Sequence, residues 1–261
     1  MVDAYAVKGK VAVITGGAQS LGLCIAQTLA RLGARILIGD IDAEAGARAA
    51  ASINHEIGTP VALFHPCDVA DSAALHALID LAQSHFGRFD ILANNAGILD
   101  QPWSQDPEGS RARLCVDINV RALIDGTNHA LHVWQKSDAT GVVVNLASAS
   151  SYYPAEFLAA YAATKAAVAV YTKALAGLAP KVRVNAVAPV WIDTKFIDSP
   201  HIGRDHHSVK RTGLLLPEQV ARQVVRLIED QSLAGDIIIM RTDAEPTLCT
   251  LPKATDILPS S

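Results

Sequence analysis

A tyrosine and a lysine stand four residues apart in Tyr161-Ala162-Ala163-Thr164-Lys165, inside a stretch of helical character. Residues at that spacing share one helical face, so the phenol and the ammonium are expected to project into the same space. A free phenol titrates near pKa ~10, and bringing it to neutrality takes roughly 4 kcal/mol. A cation ~5 Å away at an effective dielectric of ~20 supplies about 3 kcal/mol of that. The pair therefore reads as a proton carrier for general acid–base chemistry near neutral pH. Tyr171 has no such partner, because Leu175 stands four residues on. A lone Tyr-x-x-x-Lys also arises from a packed tyrosine and a solvated lysine, so the rest of the chain must supply the context.

A second chemical signal lies upstream. Thr15-Gly16-Gly17-Ala18-Gln19-Ser20-Leu21-Gly22 follows an apolar run and opens a helical one. A strand, a Gly-rich turn and a helix N-terminus make an anion site, where free N–H groups and the helix dipole face a pyrophosphate. Asp40 ends the next apolar run, 18 residues after Gly22. An acidic residue there accepts hydrogen bonds from a ribose diol and repels a 2′-phosphate. No Arg or Lys stands at Gly17, Ile41 or Asp42 to bind one, so the expected cofactor is NAD rather than NADP.

The elements that must position these groups alternate along the chain. Strands are predicted at 11–15, 35–39, 61–65, 90–93, 142–147, 182–187 and 236–240. Helices are predicted at 21–32, 43–57, 72–86, 108–134, 156–178 and 217–230, with Asp71 or Ser72 capping the third. The strands are continuously apolar, as in a parallel sheet covered on both faces. Repeated β–α–β order implies a single-domain α/β fold, a doubly wound sheet of about seven strands flanked by helices. Ligands in such sheets sit beyond the carboxyl ends of the strands. Residues 100–109 and 191–216 read as irregular loops, the second a substrate loop, and 243–261 as a loosely held tail.

With these elements in place, the chain resembles the short-chain dehydrogenase/reductase family over roughly residues 8–240. Thr15–Gly22 looks like its Thr-Gly-x-x-x-Gly-x-Gly turn. Asp68-Val69 matches its adenine-contacting position, and Asn94-Asn95-Ala96-Gly97 its turn after the fourth strand. Within it the chain resembles the NAD-dependent hydroxyprostaglandin dehydrogenase branch, through Cys67-Asp68-Val69-Ala70-Asp71 and Leu227-Ile228-Glu229-Asp230. The resemblance implies a Rossmann-type fold and an alcohol dehydrogenase or carbonyl reductase. Ser148 stands 13 residues before Tyr161, the family spacing, and is expected to hydrogen-bond the substrate oxygen. Asn119 matches the helix asparagine that supports a water relay to the lysine. Lys165 is expected to hold the ribose and depress the phenol pKa. Gly16, Gln19, Ser20, Leu21, Gly22, Asp40, Asp68, Val69, Asn95, Ala96, Gly97, Tyr161, Lys165, Pro189, Ile192 and Thr194 are the expected cofactor contacts. Three features depart from the pattern. Ser20 replaces a glycine of the turn, Val190 replaces the glycine after Pro189, and Met240-Arg241-Thr242-Asp243 replaces a Gly-rich ending often found in tetramer contacts. The loss of that ending favours a homodimer over a homotetramer, with the helix at 156–178 at the interface.

Ser150, Tyr153, Phe157, Trp191 and Phe196 cluster around the reaction site and imply an apolar pocket. No Arg or Lys clearly faces this region, so the expected substrate is a small hydrophobic secondary alcohol or its ketone. His201, His206 and His207 lack the fixed spacing of a metal site, and no metal is expected. The net charge is −4 without a Lys/Arg run, which argues against nucleic acid and anionic membranes. No apolar stretch is long enough to span a bilayer, and residues 1–10 do not read as a signal peptide. Cys24, Cys67, Cys115 and Cys249 lack metal or disulfide spacing and read as reduced residues of a cytoplasmic protein. Two other readings stand beside the dehydrogenase. One is a dinucleotide-binding sensor or scaffold with little turnover, against which the intact Tyr161–Lys165 pair speaks. The other is a nucleotide-sugar epimerase or dehydratase, for which the roughly 70 residues after Pro189 are few.

Overall fold

The computed structural model of the chain describes residues 6–155, 157–198 and 202–251. Strands and helices alternate as β1 (Val11–Thr15), α1 (Ser20–Arg31), β2 (Arg35–Asp40), α2 (Ala43–Ile57), β3 (Ala62–Pro66), α3 (Ser72–Phe86) and β4 (Ile91–Asn94). The second half runs α4 (Ser110–Val116), α5 (Ala122–Lys136), β5 (Gly141–Leu146), α6 (Ala159–Ala174), β6 (Val182–Pro189), α7 (His207–Thr212), α8 (Pro217–Glu229), β7 (Ile237–Met240) and β8 (Thr247–Leu248). The sheet order is β3-β2-β1-β4-β5-β6-β7-β8. The first seven strands pair in parallel. The order reverses between β1 and β4, which opens a crevice beyond their carboxyl ends.

Strand alternation divides the core into two layers. In β1, Ala12 and Ile14 join the layer containing Leu29, Ile53 and Val224, whereas Val11 and Val13 join the one containing Leu78, Leu75 and Val133. Burial on both sides explains why the strands read as unbroken apolar runs. Helix ends follow local chemistry. The Asp42 and Asp71 carboxylates accept first-turn N–H groups of α2 and α3, and Gly58 and Gly87 close these helices at φ +77° and +75°.

Three elements differ from expectation. The single helix predicted over 108–134 is instead α4, a π-helical turn at Asp117–Arg121, and α5. One π turn holds an extra residue and changes which side chains face inward, and Asn119 is 1% exposed within it. The helix predicted over 156–178 is α6 followed by a 3-10 turn at Ala176–Leu178, and Glu156 lies outside the described residues. The tail contributes an eighth strand. β8 runs antiparallel to β7, and the Cys249 N–H donates to the Ile237 carbonyl at 2.8 Å. An uncovered β7 would leave a row of unpaired backbone groups, which this pairing occupies. Residues 252–261 of the expected tail lie outside the described residues.

The described parts of the 191–216 loop carry more structure than its composition implies. Ile192 and Leu215 form a parallel bridge, and the Asp193 N–H donates to the Leu215 carbonyl at 2.8 Å. Between these points lie a 3-10 turn, Lys195–Ile197, and α7. The Arg204 guanidinium pairs with Asp193 at 2.7 Å and Asp198 at 3.4 Å.

Candidate active site

The Gly-rich turn joins β1 to α1 at the crevice. Gly16 has φ +63°, and Ser20 takes φ +52° in the same left-handed region. Glycine occupies that region without strain, so serine carries a modest backbone cost there. Val190 is not among the described residues with positive φ, and its N–H donates to the Met240 carbonyl at 3.0 Å. The missing glycine after Pro189 therefore imposes no left-handed strain. At Gly22 space decides the residue, because a Cβ would lie 2.1 Å from the Gly16 carbonyl oxygen and 2.6 Å from Asn95 Nδ2. The Asn95 amide donates to the Thr15 and Gly16 carbonyls, both at 2.9 Å, so this side chain staples the turn. Asp40 is buried, with Oδ2 accepting the Ala18 N–H at 3.0 Å and Oδ1 the Asp42 N–H at 3.1 Å. These bonds fix the carboxylate at the far end of the turn.

The opposite wall carries the Tyr–Lys pair. Asn94 Nδ2 donates to Asn145 Oδ1 at 2.9 Å and Thr127 Oγ1 at 3.0 Å, and Asn145 Nδ2 donates to Thr172 Oγ1 at 3.0 Å. This buried chain ties β4, β5, α5 and α6 together. Lys165 is 5% exposed, and its Nζ donates to the Leu146 carbonyl at 2.6 Å. The same Nζ stands 5.6 Å from the Tyr161 ring centroid. Ser148 caps the 3-10 turn Ala149–Tyr152. Its Oγ accepts the Ser150 N–H at 3.2 Å and the Ser150 hydroxyl at 3.0 Å.

The electrostatics differ from what the Tyr-x-x-x-Lys spacing predicts. The Tyr161 phenol is pushed well above its ordinary value, first by burial, while the hydrogen-bonded Ser148 hydroxyl draws it down. Burial also drives Lys165 down to about 8. Desolvation penalises the charged form of both groups, and the ammonium is not among the causes that shift the phenol.

Asn119 lies beneath the cleft rather than on its wall. Its Oδ1 accepts the Ile98 N–H at 2.9 Å, and its Nδ2 donates to the Ile98 carbonyl at 2.9 Å and to Thr164 Oγ1 and Cys115 Sγ at 3.1 Å. A Cβ on Gly97 would stand 3.3 Å from Asn119 Oδ1 and 3.6 Å from Lys165 Nζ, so a bare α-carbon there keeps the two groups close to the cleft floor.

A cleft of about 440 Å³ connects the two walls. Except for Asn119, every residue expected to contact cofactor or substrate lines it, from Gly16 and Asp40 to Tyr161, Thr194 and Phe196. Phe157 packs on His206, ring centroids 4.4 Å apart, and Phe196 stands 6.2 Å from Tyr161. Sequence reasoning missed several lining residues, chiefly Ile41, Cys67, Ile98 and Lys195. Lys195 is exposed and corrects the view that no cation faces this region. Its position between Thr194 and Phe196, both expected at the site, was the available signal. Cys67 is buried in the wall, and burial raises its thiol to about 11.

His206 caps α7, accepting the Ser208 N–H, and His201 lies outside the described residues. Among the described residues no group of three His, Cys, Asp or Glu could hold a metal ion. No described helix is long and apolar enough to cross a membrane. All four cysteines are free and buried.

Comparison with known proteins agrees with this geometry. The family model described as short chain dehydrogenase matches residues 10–201. The short chain dehydrogenase helC of Aspergillus fumigatus is 35% identical over 246 residues, covering 88% of this chain and 94% of that protein. Human NAD(+) 15-hydroxyprostaglandin dehydrogenase is 31% identical over 254 residues, covering 90% and 92%. Among solved structures, the 3-ketoacyl-(acyl-carrier-protein) reductase of Brucella melitensis complexed with NADH superposes with a TM-score of 0.81. It is 31% identical, and the match covers 91% of this chain and 98% of that one. Fold, cleft and relatives converge, and the chain belongs to the short-chain dehydrogenase family of oxidoreductases that use a nicotinamide dinucleotide.

Proposed function

We propose that this protein transfers a hydride between a hydrophobic secondary alcohol, or its ketone, and NAD, with Tyr161 as the acid/base. The observation that carries the reading is one cleft lined at one end by Asp40 and the Gly16–Gly22 turn, and at the other by Ser148, Tyr161 and Lys165. The residues present fit a dinucleotide. The contact between Gly22 and the Gly16 carbonyl leaves no room for a side chain that would fill the turn. The buried Asp40 carboxylate suits a ribose diol and opposes a 2′-phosphate, which favours NAD over NADP. Asp68 and Val69 would border the adenine, Lys165 the second ribose, and Pro189, Ile192 and Thr194 the carboxamide. When bound, NAD supplies the hydride acceptor.

The chain's own residues supply placement and proton handling. The Tyr161 side-chain oxygen, as the phenolate, takes the substrate's hydroxyl proton during oxidation, and the resulting hydroxyl returns it during reduction. Ser148 donates its hydroxyl hydrogen toward the substrate oxygen, and the Ser150 N–H and O–H on its acceptor side favour that orientation. Lys165, anchored on the Leu146 carbonyl, places its ammonium beside the Tyr161 ring. Tyr153, Phe157, Trp191 and Phe196 give an apolar pocket, with Lys195 on its wall.

The protein is proposed to act as a homodimer in the cytoplasm. Ala163, Ala167 and Val170 are exposed on one side of α6, a small-residue face suited to a second copy, and the free cysteines suit a reducing compartment. Sedimentation should give twice the chain mass, and Val170→Glu should shift it to monomer. The test of the activity is NADH formation from a panel of hydrophobic secondary alcohols. If the panel stays inert while calorimetry shows NAD binding, the sensor reading replaces this one.

A further inference from the structure

Asp100 stands three residues beyond Gly97, at the end of a segment that begins on the cleft floor. Both backbone groups of Ile98 are bonded to Asn119, and the Leu99 carbonyl accepts Arg111 Nε at 2.9 Å. The segment is therefore pinned before it reaches Asp100. The Asp100 side chain belongs to a residue 5% exposed, and its Oδ2 accepts the Ala160 N–H at 2.8 Å, 60 residues further along the chain. Ala160 is the second residue of α6 and Tyr161 the third. First-turn N–H groups have no partner within their own helix. Leu158, at the N-cap, offers no side-chain acceptor, so Asp100 caps this helix from outside it.

The arrangement is not the most economical one for stability. The second oxygen, Oδ1, is buried and has no hydrogen-bond partner among the described residues. Burial pushes the carboxyl above its ordinary value, and the backbone N–H groups of Ala160 and Tyr161 draw it back. A serine or aspartate at position 158 would cap the helix without burying a half-satisfied carboxylate. What a local cap would not provide is a link between the cleft floor and the helix that presents the phenol.

We infer that Asp100 is a positioning residue that seats Tyr161 against the cleft, by clamping the first turn of α6 to the segment leading from Gly97. The inference rests on Tyr161 as the acid/base. Asp100 touches neither reactant and acts through the helix.

The test compares Asp100→Ala with Asp100→Asn, which keeps an oxygen for the Ala160 N–H. Three quantities are measured: amide exchange of the peptide spanning the start of α6, the dissociation constant of NAD by calorimetry, and kcat and KM with 1-phenylethanol as probe. Asp100→Ala should speed exchange at the start of α6 roughly tenfold, the effect of a lost cap. It should leave NAD affinity within about twofold, as the glycine turn is untouched, and should lower kcat more than it raises KM. Asp100→Asn should recover most of the protection and most of kcat.

The inference is overturned if exchange at α6 matches wild type in Asp100→Ala. It is equally overturned if the faster exchange spreads evenly over the sheet, or if Asp100→Asn behaves as Asp100→Ala. Tyr161→Phe separates the two claims. If that variant turns over the probe at wild-type rate, the reading of Tyr161 fails, while exchange still decides whether Asp100 holds the helix.

Discussion

Lys165 should make this protein less stable at neutral pH than it would be without it. The side chain is buried with no carboxylate beside it among the described residues, and its ammonium donates to the Leu146 carbonyl. Its fall from 10.5 to about 8 corresponds to roughly 3 kcal/mol at 1.36 kcal/mol per pH unit. Lys165→Met keeps much of the apolar stem and removes that penalty. It also leaves the Leu146 carbonyl without its partner, a cost of about 1–3 kcal/mol. The variant should therefore equal or exceed wild type by up to about 2 kcal/mol at pH 7.

The pH dependence is the sharper signature. The folded-state pKa lies below the unfolded one, so between about 8 and 10.5 the unfolded chain holds a proton that the folded chain has released. Wild-type stability should rise relative to the variant through that window, by about 2 kcal/mol between pH 7 and about pH 10. Urea unfolding of both proteins, followed by tryptophan fluorescence across this range, reads the difference directly and cancels groups common to both. A difference that stays constant with pH would refute the reasoning, because the ammonium would then not be desolvated as its geometry requires.

Other substitutions probe the remaining parts of the cleft. Asp40→Arg should weaken NAD binding roughly tenfold to a hundredfold, the worth of charged hydrogen bonds to a diol, and shift preference toward NADP in calorimetry. Gly22→Ala should lower stability by about 1–3 kcal/mol in thermal melts and impair NAD binding, since its Cβ would lie 2.1 Å from the Gly16 carbonyl oxygen. Ser150→Ala should lower kcat roughly three- to tenfold, one neutral hydrogen bond's worth, in steady-state assays. In a Ser148→Ala background the same change should have little further effect, because Ser150 acts through the Ser148 hydroxyl.

Local chemistry made much of this molecule readable. The apolar strand runs, the Gly22 position, Asp40 at the end of β2 and the Tyr161–Lys165 spacing all depend on residues close in sequence. The features that escaped depend on distant partners. Asp100 looks like a loop carboxylate until the start of α6 is placed beside it. β8 needs the edge of β7, which a polar, proline-containing tail does not advertise. The π turn around Asn119 leaves an apolar periodicity that a regular helix also satisfies. The acidity of Tyr161 was misjudged for a related reason. Spacing supplied the nearness of the ammonium, but only the packed structure supplies the burial that raises the phenol.

The most direct measurement of the central claim is NAD reduction by hydrophobic secondary alcohols, with wild type and Tyr161→Phe compared at matched NAD saturation. The account predicts that the variant binds NAD as wild type does and loses roughly a hundredfold or more of turnover, the contribution of a positioned acid/base. A variant that binds NAD and retains wild-type turnover would contradict it.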